Sequence, residues 1–217
     1  MTKNKLTFCI LLISFNISFS QNIIDLFYLL PEDEYVINLD LKDRKLLVEN
    51  GKYTFGDTEK TIFIDKINGF LSYYSDYGKA GVRFEMCYWN NQNNNSKTVA
   101  ISSYGGNPTT FNFFQNTFLF FEYKDGKLIK TKKPIFKNYY PDLEITKRLM
   151  ITEFYKNKSR DFIIEYEKLN PSLIFYLPHK GKNITVEYDE QASGKDSDCC
   201  FEPQKIILKW LGNGYFK

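Results

Sequence analysis

Apolar positions follow two periods along this chain, and the change from one to the other divides it. Ile23, Leu26, Phe27 and Leu30 fall at helical spacing, and Pro31 ends the run. Val36 to Leu39 is a short apolar piece. Asp40 is placed to cap a helix over Leu41 to Glu49, with Leu41, Leu46 and Leu47 apolar and Gly51 at the stop. From Lys60 the period becomes two. Strands are predicted at Thr61 to Ile67 and Phe70 to Tyr74, joined by an Asn68-Gly69 turn, a strong hairpin signal. Val82, Phe84, Met86 and Tyr88 alternate with Arg83, Glu85, Cys87 and Trp89, which predicts a strand with one buried face.

An Asn-rich loop follows at Asn90 to Ser96. Further strands are expected at Thr98 to Tyr104, Thr110 to Phe114, Thr117 to Tyr123 and Lys127 to Thr131. Gly105-Gly106-Asn107-Pro108 and Asp125-Gly126 are the breaks. Leu143, Met150 and Phe154 allow an amphipathic helix, while Phe162 to Leu169 fits either type. Strands return at Leu173 to Leu177, Asn183 to Tyr188 and Lys205 to Trp210. Pro178 to Gly181 and Gly212-Asn213-Gly214 read as turns, and Gln191 to Cys200 as loop. The expected class is α+β: a mainly antiparallel sheet, a meander, with two short N-terminal helices and one or two more. No repeat or linker divides residues 21–217, which are expected to form one domain.

The first twenty residues follow a different pattern. Lys3 and Lys5 precede an apolar run from Leu6 to Ile17, and Ser18-Phe19-Ser20 supplies small residues at a cleavage site. This reads as a secretory signal peptide cut after Ser20, which implies a periplasmic or secreted destination. It is too short to span a bilayer, which needs about 20 apolar residues. No other run reaches that length, so no transmembrane span is expected in the mature chain. Removing the two signal lysines brings the net charge of +3 close to neutrality. That lacks the basic stripe nucleic acid requires.

Export changes the reading of the cysteines. Cys9 leaves with the signal, and its setting lacks a lipobox. Cys87, Cys199 and Cys200 remain, so one disulfide and one odd thiol are allowed, with full reduction as the alternative. Zinc spacing is absent and His179 is the one histidine. Asp196-x-Asp198 begins like a calcium loop without the required glycine and glutamate. No metal, cofactor or catalytic residue is therefore assigned.

The remaining chemistry is sparse. Gly51 to Thr58 has phosphate-loop glycine spacing but puts Asp57 where lysine is needed. No G-x-S-x-G elbow accompanies His179, which lies in a turn. No pair among 26 acids stands out as a glycosidase dyad. Aromatics reach 18%, but with 20 Phe and 16 Tyr against 2 Trp this follows AT-rich codon usage rather than a stacking platform. Trp89, Trp210 and His179 are candidate ligand contacts. For the two tryptophans, large apolar residues on predicted strands, the core is the competing place.

Four stretches carry a resemblance. Leu26-Phe27-Tyr28-Leu29-Leu30-Pro31-Glu32 resembles an L-F-x-x-M-P-D opening, with Leu30 in place of Met. Lys42-Asp43-Arg44-Lys45-Leu46-Leu47 is similar to a K-x-x-R-x-x-L helix. Trp210-Leu211-Gly212-Asn213-Gly214-Tyr215-Phe216 resembles a terminal W-N-G-x-F with one residue more. Leu177 to Ile184 resembles an L-P-x-x-G-x-x-I turn. The first three together resemble a domain-of-unknown-function family of secreted proteins from Bacteroides-type Gram-negative bacteria, and the fourth resembles a turn common in exported proteins of such bacteria. That implies export and an α+β fold, and brings no catalytic residues. The functional expectation is a non-enzymatic periplasmic or envelope-associated binding module, its partner an envelope or extracellular protein or a glycan. The alternatives are a secreted hydrolase of glycan or peptide, or a secreted enzyme inhibitor.

Overall fold

The alternating stretches assemble into seven consecutive strands, each paired with the next. In the computed structural model, the described residues are 21–33, 36–78, 80–92, 94–107, 112–155, 157, 159–161, 164, 172–189 and 205–217. The strands are β1 (Lys52–Phe55), β2 (Thr58–Asp65), β3 (Phe70–Asp76), β4 (Gly81–Asn90), β5 (Lys97–Asn107), β6 (Asn112–Lys124) and β7 (Lys127–Lys130). Their spatial order is their chain order and every pair is antiparallel. This is the expected meander within an α+β class. Among the described residues no helix is long and apolar enough to cross a membrane.

Among the strand boundaries that differ from the sequence reading, three have a backbone reason. The phosphate-loop-like stretch from Gly51 to Thr58 is a helix stop followed by a hairpin. Gly51 takes φ 72° at the helix end and Gly56 φ 57° in the β1–β2 turn. Gly105 and Gly106 do not break β5. A Cβ on Gly105 would lie 2.1 Å from the Gly81 carbonyl oxygen, so glycine is what lets β5 close against β4. The two strands expected at 110–114 and 117–123 are one, β6. Ser103 pairs with Thr117 and Tyr104 with Gln115, so Asn116 is the extra residue of a β-bulge.

The sheet is covered on both sides. One side carries α1 (Ile23–Tyr28) and α2 (Leu41–Asn50). Asn22 and Asp25 cap α1 reciprocally, and the Asp40 carboxylate accepts from the Asp43 amide to start α2. Ile23, Leu26, Phe27 and Leu47 pack there on Phe84, Met86, Val99, Ile101 and Phe121. Arg44 is 1% exposed. Its Nη1 donates to the Phe27 and Leu30 carbonyls at 2.8 Å, filling the acceptors left at the end of α1. The opposite side carries α3 (Leu143–Phe154) and a second sheet of β8 (Ser172–Tyr176), β9 (Ile184–Asp189) and β10 (Lys205–Leu208), in the order β10-β9-β8. Glu85, Cys87 and Trp89 therefore do not face water. Both faces of β4 are buried, against the one-sided strand expected.

A polar seam joins the two sheets. The Gln115 side chain accepts from the Phe175 amide at 2.8 Å and donates to the Thr117 carbonyl at 2.6 Å. Ser102 Oγ donates to the Phe175 carbonyl, and Glu85 Oε2 accepts from the Leu177 amide. These side chains complete the outer edge of β8, whose backbone would otherwise be buried unpaired. Glu85 Oε1 accepts from Tyr104 and from Arg83 Nε. Burial nevertheless pushes the Glu85 carboxyl upward, against these hydrogen bonds.

Candidate functional site

His179 sits in the β8–β9 turn, as a turn residue should, but it is not idle. Its Nε2 lies 2.9 Å from Asp65 Oδ2 at the end of β2. Its ring packs edge-on to Phe63 and tilted to Phe70, with centroids 5.0 and 5.2 Å away. Asp65 also accepts from the Ile67 amide and from the amide and side chain of Asn68. The Asn68 bonds, with His179 adding to them, hold the Asp65 carboxyl down at about 2. The pair ties the second sheet to the first. Among the described residues nothing places a hydroxyl or thiol in hydrogen-bond reach of His179, so the arrangement has an orienting acid and an imidazole without a nucleophile.

The tryptophans lie together in the core. Trp89 is 4% exposed, its Nε1 donating to the Lys182 carbonyl at 2.9 Å. Trp210 is half-buried and stacks on it at 5.5 Å, and Phe216 closes the cluster edge-on to Trp89 at 5.0 Å. The Trp210–Phe216 stretch is a hairpin that returns the chain, with the Gly212 carbonyl accepting from the Gln92 amide. Cys87 is a free, buried thiol, its pKa raised by burial and secondarily by Glu85, which makes it unreactive. Cys199, Cys200 and residues 1–20 lie outside the described residues. Among the described residues no group of three His, Cys, Asp or Glu could hold a metal.

Among the described residues, a concave feature lies at the far edge of the second sheet. A cavity of about 410 Å³ runs between β10, α3 and the segment 136–138. Ile206, Ile207 and Leu208 all line it, as do Tyr215, Phe216 and Lys217. Side chains alternate along a strand, so three successive residues can share one cavity only when it lies along the strand's edge. Phe136 and Met150 make the floor apolar. Lys137, Lys217 and Glu153 stand at its walls.

Among the described residues, the backbone at this edge is open. Phe175 bonds outward to Gln115 and Ser102, so Ile174 and Tyr176 are the β8 residues that bond to β9. By alternation Val186 and Ile184 bond to Ile206 and Leu208, leaving Lys205 and Ile207 pointing away from β9. Lys209 continues outward and exchanges both bonds with Lys217, at 2.7 and 2.9 Å. Among the described residues nothing takes the next two places along that line. The sequence singled out none of these groove residues. The signal available was Lys-Ile-Ile-Leu-Lys at 205–209, an apolar strand guarded by lysines, which is how exposed edges are written. Among known protein families, curated proteins and solved structures, none matches this chain.

Proposed function

We propose that the protein is an exported, non-enzymatic binding module of the periplasm or cell envelope. Export rests on the pattern of residues 1–20, and the resemblance to secreted proteins of Bacteroides-type bacteria agrees with it. The observation that carries the binding role is the groove beside β10. It is concave and floored by Phe136, Met150 and Leu208, with backbone polar groups at its rim, the composition of a recognition site. Two of the buried charged groups have structural tasks elsewhere: Arg44 caps α1 and Glu85 completes β8. The test is cross-linking in the native envelope followed by recovery of the chain. A specific, saturable cross-link to one envelope component is the expected result. Recovery of the chain alone overturns the reading.

One observation favours a hydrolase as the second reading, the His179–Asp65 pair at 2.9 Å. Hydrolysis of cell-wall glycan or peptide by the purified protein, abolished by His179→Ala, would establish it in place of the binding role.

A further inference from the structure

We infer that the β10 edge binds an extended, acidic peptide segment of a partner protein, which adds to the second sheet as a strand. This rests on the binding-module reading and names the partner's chemistry. Three observations carry it. The first is the pair of outward-facing backbone positions, Lys205 and Ile207, in line with the Lys209–Lys217 pairing. A strand antiparallel to β10 would repeat that pairing one and two steps further on. The second is the cavity itself. With about 410 Å³ floored by Phe136 and Met150, it has room for apolar side chains from alternate positions of such a strand.

The third observation is charge. Lys137 and Lys217 flank the groove and Lys209 precedes it, and among the described residues none of them forms an ion pair. Lys205 is paired with Glu187. Three lysines thus stand around the groove against the single carboxylate of Glu153 at its wall, and a segment with flanking Asp or Glu complements that excess. The same lysines argue against a second copy. Two β10 strands paired antiparallel about Ile207 would set Lys205 against Lys209 twice, and like charges directly opposite are destabilising.

The test uses two synthetic nine-residue peptides, each a core of alternating valine and threonine, one flanked by aspartates and one by lysines. Binding to the purified protein is followed by calorimetry and by amide chemical shifts. The aspartate peptide is expected to bind at least tenfold more tightly and to move the Lys205 and Ile207 amides first. Ile207→Pro removes the outward N–H alone, since the bonds to β9 come from Ile206 and Leu208, and should abolish binding with the circular dichroism unchanged. If that variant misfolds, N-methylation of the peptide's central amides makes the same test from the other side. Lys137→Glu with Lys217→Glu should reverse the preference. Equal binding of both peptides, binding unaffected by either backbone block, or no binding at millimolar concentration overturns the inference. So does a dimer in sedimentation that Ile207→Pro dissolves. An envelope cross-link equally strong in wild type and Ile207→Pro would sink this inference while leaving the binding module standing.

Discussion

Gln115 concentrates more of the architecture than any ion pair among the described residues. Its amide oxygen holds the Phe175 amide while its nitrogen reaches Ser102 Oγ, the Ser103 carbonyl and the Thr117 carbonyl, all within 3.0 Å. Gln115→Ala leaves the buried Phe175 amide unpaired, which costs about 1–3 kcal/mol, and takes a donor from Ser102 Oγ and from the Ser103 and Thr117 carbonyls. A loss of roughly 3 kcal/mol is expected, read as a lower urea midpoint. Asp65 gives a pH-dependent counterpart. Its folded pKa of about 2 lies below the ordinary 3.8. A depressed carboxylate stabilises fully above its unfolded pKa, and that contribution fades as pH falls from about 4 through 2. Asp65→Asn should therefore lower the urea midpoint at pH 5, with the gap to wild type closing by pH 2. A gap that stays constant across that range would remove Asp65 from the account. Neither residue's role was legible in the sequence. Gln115 reads as a polar strand residue, and its partner Phe175 is far away in the chain, so alternation alone could not reveal a covered edge.

At the level of elements, the legible parts are those fixed by local backbone chemistry. Asp40 starts α2 because a short polar side chain can accept from the first free amides. Asp125 and Gly126 turn β6 into β7 with φ 51° and 77°, as an Asp-Gly hairpin should. The misread elements are those decided by a neighbour. Gly105 looks like a breaker in sequence, yet its task is close approach to Gly81. Gly105→Ala should force β4 and β5 apart where they now pair from Gly81 to Asn90, costing about 3 kcal/mol or more. The check is thermal unfolding beside Gly78→Ala. A Cβ at Gly78 meets nothing within 4 Å, though φ 79° still strains it, so the smaller loss belongs there. Equal losses would mean that conformation, not approach, sets the requirement at Gly105.

At the scale of the whole molecule, one sheet serves two cores. Period-two patterning announces the sheet but is silent about which faces are covered, because Glu85, Ser102 and Gln115 sit on a buried face. That arrangement predicts how the layers unfold. Leu47 lies in the helical core and Phe216 in the opposite one, both fully buried. Leu47→Ala should cost about 2–5 kcal/mol and Phe216→Ala about 3–5 kcal/mol. With no shared partner across the sheet, the double variant should lose close to the sum. Both tryptophans report from the Phe216 side alone, since Trp89 and Trp210 pack there. If β3 to β6 couple the layers into one cooperative unit, Leu47→Ala lowers the midpoint by tryptophan fluorescence as far as by circular dichroism. A fluorescence midpoint unmoved by Leu47→Ala would instead mean that the helices come away first. The β10 groove, set on the opposite side of the sheet from them, would then persist without the N-terminal layer.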